Sequence, residues 1–254
     1  MALRNIAPGE SHSPAGLGTV LNNAVFGFTD GLITDMAVVA GIVAAPNSST
    51  YLVVVAALAA TFAGALSMFL GAYVAAHTRY RYMLRERVRE LREVDEVPET
   101  ERQEVREIYS QQGFTPDEVE MIVRRVTSNR ELWVSTMMRE ELGFGEEDLH
   151  SPRVRTEAVI GLMFLVGSLI PILPFLSIQF MPGLPGYGGL TADDTAFAFS
   201  LVLSIIGLGL MGAYKERFGE NKPWKGALQM LVVGLGGAGA VYLIIAVVGT
   251  LLVH

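Results

Sequence analysis

Apolar residues dominate two blocks of the chain, and a charge-dense stretch, about residues 79–155, separates them. Within the blocks, five windows are apolar over lengths that suit helical crossing of a membrane: 20–45, 51–77, 158–178, 196–214 and 226–253. Residues 51–76 and 226–253 each run for more than 18 positions without a charged side chain. A helix of ~20 such residues crosses a ~30 Å hydrocarbon core. The second window continues without a break into 78–97 in helical pattern, and Pro171 and Pro174 interrupt the third. Pro46-Asn47-Ser48-Ser49-Thr50 predicts an uncharged turn between the first two windows, and the Pro- and Gly-rich run 181–189 joins the third to the fourth.

Composition agrees with the windows. At 254 residues, 51% hydrophobic content and mean hydropathy +0.40, the chain is too apolar for an ordinary soluble domain. It has no cysteine, which excludes disulfides and thiolate metal sites. A net charge of −7 argues against nucleic acid as a partner. Residues 1–13 are polar, with Arg4 as their one positive charge, and lack the apolar core of a signal peptide, so no cleavage is expected.

The basic residues orient the windows. Arg4 precedes the first, fourteen arginines fall in 79–155, and Lys215, Arg217, Lys222 and Lys225 follow the fourth, which accounts for all 19 Lys and Arg. The positive-inside rule therefore puts the N-terminus, the 79–155 insert and the fourth–fifth connection in the cytoplasm, with the C-terminus outside. The predicted fold class is an all-α membrane protein. Residues 1–78 carry a tail and the first two of five transmembrane helices, 79–155 form a cytosolic three-helix insert, and 156–254 carry the last three. The short N-terminal stretch leans towards a prokaryotic plasma membrane, with a vacuolar-type membrane as the alternative.

Three helices are expected in the insert. The first continues the second span through 79–94, Pro98 interrupts it, and 100–111 form the second. Gly113 ends that helix, and Thr115-Pro116-Asp117-Glu118 opens a third with Thr as N-cap, Pro at N1 and Glu at N3. It runs to about Leu142 and stops at Gly143. Residues three or four apart share a helix face. Glu90 pairs with Glu93 in this way, Glu101 with Glu104, and Met137 and Met138 with Glu141. If the helices bundle, five carboxylates and two thioethers can converge on a metal ion. The soft sulfur adds nothing for Mg²⁺ or Ca²⁺ and favours Fe²⁺, with Mn²⁺, Co²⁺ and Zn²⁺ as relatives, bound as substrate rather than as a prosthetic group. The plainer alternative is a solvated, salt-bridged surface, since Arg and Glu alternate densely over 85–93, with the methionines filling a core.

Two acids lie inside the first span, Asp30 and Asp35. A charge at mid-bilayer costs about 2.5–3.5 kcal/mol on insertion scales, so such residues mark ion or proton pathways, lie near an interface, or hydrogen-bond a neighbouring helix while protonated. Asp30 is the better pathway candidate, because Gly31 beside it permits close backbone approach and local unwinding. In the second span Met68 sits among the small residues Gly64, Ala65, Ser67, Gly71 and Ala72, which favour helix contact in lipid. Facing Asp30, it would complete a carboxylate–thioether site; otherwise it packs.

Taken in order, these residues resemble the vacuolar iron transporter family. The resemblance covers about Asn22 to Val248 and rests on Asp30-Gly31-Leu32, Gly64-Ala65-Leu66-Ser67-Met68, the four insert glutamates, Met137-Met138-Arg139-Glu140-Glu141-Leu142-Gly143, Leu169-Ile170-Pro171-Ile172-Leu173-Pro174 and Lys225-Gly226-Ala227-Leu228-Gln229. It implies five membrane helices, a homodimer, exchange of Fe²⁺ (and Mn²⁺) for protons, and a cytosolic domain collecting metal. The collecting residues it implies are Glu90, Glu93, Glu101, Glu104, Met137, Met138 and Glu141, with Asp30 and Met68 on the pathway. Plant-type members carry a glutamate where this chain has Ala60, so a titratable coupling group is missing, and Asp35 is the candidate substitute. Arg79 and Arg81 also stand where acids are common.

Two other functions compete. A membrane-attached di-iron ferroxidase would need Glu-x-x-His pairs on two helices. Only Glu147–His150 has that spacing, without a second copy. The other is transport of a different substrate, with a regulatory helical insert.

Overall fold

The computed structural model describes residues 17–45, 48–144, 152–180, 191–218 and 222–252; among these there is no strand. Pro46 and Asn47, the 181–189 connection and Glu147–His150 lie outside the described residues. The helices are α1 (Leu17–Val43), α2 (Thr50–Glu96), α3 (Pro98–Gln111), α4 (Pro116–Thr127), α5 (Arg130–Glu140), α6 (Val154–Phe180), α7 (Ala192–Lys215) and α8 (Pro223–Leu252). Among the described residues four of them, α1, α2, α6 and α7, are long and apolar enough to cross a membrane. α8 is a further helix of 30 residues. The chain divides into two compact units, Met1–Ala72 with Val154–His254, and Tyr73–Arg153.

In the first unit α1 and α6 approach most closely, because glycines meet backbone. A methyl group at Gly27 would stand 2.2 Å from the Ile160 carbonyl oxygen, and one at Gly167 2.1 Å from that of Phe28. Such contact is how helices gain packing energy in lipid, where no hydrophobic force draws them together. Gly31 likewise abuts the Phe164 carbonyl, yet α1 runs unbroken through it. Close approach is therefore observed and local unwinding is not. Gly167→Leu is expected to push the pair apart and lower the melting temperature of the detergent-solubilised protein by several degrees. An unchanged melting temperature would contradict this packing.

Contrary to expectation, Pro171 and Pro174 do not interrupt α6. Each removes one i→i−4 hydrogen bond, but packing in a bundle tolerates that. Ile172 and Phe175 beside them are fully buried against Val39, Val53, Ala57 and Ala196. Ser200 Oγ on α7 donates to the Pro171 carbonyl at 2.8 Å. Many large apolar residues of α2 and α8, among them Phe62, Leu66, Val232 and Leu243, remain exposed. On a soluble protein so much apolar surface would be a liability, whereas in a bilayer it meets lipid.

The second unit packs Met83, Val94, Val105, Val119, Val123, Trp133, Val134, Met137 and Met138 into one core. α3 starts with Pro98 in its first turn. α4 starts as its sequence dictates: the Glu118 carboxylate accepts from the Thr115 N–H at 2.9 Å and from its hydroxyl at 2.8 Å. Gly113 and Gly143 hold positive φ of 92° and 69°. The expected single helix from 115 to 142 is instead two, so the insert holds more than three helical segments. Ser128 and Asn129 cause the break, since the Asn129 side chain accepts from Leu132 N at 3.0 Å and caps α5. Thr, Ser and Asn compete with helical backbone bonds and favour caps over helix interiors.

Candidate functional site

Within the second unit, Glu90 on α2 and Glu101 on α3 are buried, 1% and 3% exposed. Each has one carboxylate oxygen, Oε2, that is buried and, among the described residues, without a hydrogen-bond partner. An acidic oxygen withdrawn from water without a partner is costly, and core packing alone gives no reason for two of them. Burial first, and then the charges of Glu141, Glu101 and Glu93, push the Glu90 carboxyl up to about 7. Glu101 is pushed up to about 7 by burial and then by Glu104, Glu93 and Glu141. Glu141 is raised as well, by burial and then by Glu104. The five glutamates therefore share one electrostatic neighbourhood.

Their placement is uneven. Glu93 and Glu104 are half-buried, and Glu141 is exposed. Glu104 and Glu141 line an open cleft with Glu107, Ile108 and Gln111. Met137 and Met138, 0% and 3% exposed, sit in the hydrophobic core, where the plainer alternative placed them. Among the described residues no three acidic or imidazole groups are already within joint coordinating reach. Arg89 accounts for part of this, with Nε donating to both oxygens of Glu93 at 3.1 and 3.2 Å and Nη1 to Glu86 at 3.2 Å. Glu86 is itself buried, and the sequence offered no sign of that, because it reads as one more member of an alternating charged run.

In the first unit Asp30 and Met68 are half-buried, and Asp35 is fully buried. Thr29, next to Asp30, has its hydroxyl 3.9 Å from the Met230 sulfur on α8. The Thr61 hydroxyl meets the Asp35 carboxylate, and Ser168 on α6 comes near the same group. Thr61 directly follows Ala60, and the sequence does not mark it, since a lone hydroxyl in an apolar span carries no periodic signal. At the start of α6, Glu157 is also buried, and Asn23 Nδ2 donates to its Oε2 at 3.4 Å and to the Thr156 carbonyl at 3.1 Å.

Residues 21–246 match the VIT family. The chain is 37% identical over 235 residues to vacuolar iron transporter 2 of Oryza sativa subsp. japonica, covering 92% of this chain and 88% of that protein. It is 33% identical over 239 residues to vacuolar iron transporter 1 of Arabidopsis thaliana, covering 94% and 89%. The vacuolar iron transporter of Plasmodium falciparum is 29% identical over 218 residues, covering 85% and 77%.

Proposed function

Since the chain belongs to the VIT family, we propose that it is a membrane carrier, not an enzyme, that moves a divalent transition metal out of the cytosol in exchange for protons. Fe²⁺ is the first candidate and Mn²⁺ the second. α8 serves as the fifth span beside α1, α2, α6 and α7, in a homodimer with a cytoplasmic N-terminus and an external C-terminus. Residues 79–155 are the cytosolic collecting domain. Glu90, Glu93, Glu101, Glu104 and Glu141 gather the ion there, and Met137 and Met138 supply thioethers once the core opens toward Glu141. Asp30 and Met68 line the route through the membrane, and Asp35 belongs to its coupling.

The observation that carries this proposal is the pair of buried oxygens on Glu90 and Glu101 that find no partner among the described residues, in a chain whose relatives are named iron transporters. Divalent cations bind deprotonated carboxylates, so metal entry both fills the orphaned acceptors and neutralises the charges that burial disfavours. The test is metal flux into liposomes loaded with a pH-sensitive dye, comparing Fe²⁺, Mn²⁺, Zn²⁺ and Ca²⁺. Fe²⁺ and Mn²⁺ are expected to move with a counterflow of protons and Ca²⁺ to be excluded. Transport of Ca²⁺ at the rate of Fe²⁺ would sink the soft-donor assignment.

A further inference from the structure

Three oxygens from three helices meet inside the first unit. Asp35 on α1 and Ser168 on α6 are 0% exposed, and Thr61 on α2 is 1% exposed. The Thr61 hydroxyl contacts two acceptors at once, the Asp35 carboxylate and the Ala57 carbonyl, the latter at 2.9 Å. A hydroxyl has one proton to donate and two lone pairs to offer. Thr61 cannot donate to both acceptors. Both contacts are satisfied together only when Asp35 brings the missing proton: its carboxyl O–H donates to Thr61 Oγ1, and Thr61 donates to the Ala57 carbonyl. Without that proton Thr61 turns to the carboxylate and releases the carbonyl.

The surroundings favour the protonated arrangement. Ser168 comes near the Asp35 carboxylate, yet among the described residues the buried atoms Asp35 Oδ1 and Ser168 Oγ have no hydrogen bond of good geometry. On α1 the neighbouring acid is Asp30, five residues away and roughly 7 Å along the axis. On α6 the charged residues are Arg155 and Glu157, eleven or more positions before Ser168. Asp193 and Asp194 open α7, Tyr214 and Lys215 close it, Lys225 opens α8, and Tyr51 opens α2. Among the described residues Asp35 has no ion pair with any of these, and a charge withdrawn from water without one is costly.

We propose that Asp35, Thr61 and Ser168 form a proton-binding site inside the transmembrane unit, separate from Asp30 and Met68, and that it carries the proton exchanged for metal. The second half of this rests on the exchange mechanism proposed above. In the cycle the Asp35 O–H bond breaks as metal enters, and its proton leaves to water on the cytosolic side. A proton from the opposite side re-forms that bond after the metal has left. Thr61 follows each change by rotating its hydroxyl between Ala57 and Asp35.

The test uses the full-length protein. Infrared difference spectra of wild type against Asp35→Asn are expected to show a protonated-carboxyl C=O band belonging to Asp35, shifted by Thr61→Val and restored by Thr61→Ser. Absence of that band overturns the site whatever the protein transports. In proteoliposomes Asp35→Asn is expected to lower the protons moved per metal at least fivefold, with metal–metal exchange, which needs no proton, as the reference. The asparagine N–H still donates to Thr61, so the fold is kept. A wild-type proton-to-metal ratio in this variant overturns the coupling role, as does loss of metal–metal exchange in folded protein. Wild-type protein that moves metal without protons would defeat the exchange mechanism instead, and the infrared band would still decide the site.

Discussion

Replacing Glu90 and Glu101 together with glutamine is expected to weaken metal binding severely while making the metal-free protein more stable. The two effects have opposite signs for one physical reason. Both carboxyls are pushed up to about 7 from the ordinary range, chiefly by burial. Between pH ~4.5 and ~7 the folded state therefore holds protons that the unfolded chain has lost, and stability falls as pH rises through that window. A bound divalent ion removes the penalty, because the charge that burial disfavours is the charge the ion needs. Glutamine takes away both the penalty and the ligand. Titration of Mn²⁺ into the detergent-solubilised full-length protein should show affinity falling about 100-fold or more, at or beyond the upper end of what outer-shell changes cause. Thermal unfolding of the metal-free wild type should weaken from pH 5 to pH 8, and the double variant should lose most of that slope. A structural role for the two acids predicts the reverse, with unaltered Mn²⁺ affinity and a destabilised variant.

Asp30→Asn is expected to cut metal flux through proteoliposomes at least tenfold and to leave Mn²⁺ binding at the glutamate cluster intact. Asp30 is a half-buried acid in an apolar helix, and such a residue is costly to retain unless it serves the passage of an ion. Asparagine matches its size and keeps its hydrogen-bonding capacity, so loss of flux would report the lost charge. The separation of binding from flux is the informative part, because Asp30 and the glutamates belong to different compact units. Wild-type flux in this variant would remove Asp30 from the route.

Much of the helical framework was legible in the chain. The apolar windows match α1, α6, α7 and α8 to within a few residues, α2 matches the second window together with its helical continuation to 97, and Thr115, Pro116 and Glu118 start α4 as their chemistry requires. These are local properties, set by side-chain hydration and by hydrogen bonds within one turn. The break at Ser128–Asn129 was just as local but was outweighed by the continuous periodicity around it, and the capping bond from Leu132 shows which influence wins. Pro171 and Pro174 erred the other way, since a proline signals interruption only until neighbouring helices compensate it.

The candidate sites divide along the same line. Glu90, Glu93, Glu101 and Glu104 could be paired on faces by spacing, but spacing could not distinguish buried Glu90 and Glu101 from half-buried Glu93 and Glu104. Gly31 drew attention to Asp30, while packing buried Asp35 more deeply. The sequence by itself determined which stretches prefer hydrocarbon, where most helices begin and end, and which residue types could bind an ion. Those follow from each residue and its near neighbours. Only the tertiary structure decided which acids lose their water and which hydroxyls they meet, because Asp35, Thr61 and Ser168 come from three helices far apart in the chain. Their electrostatics exist only once those helices have packed.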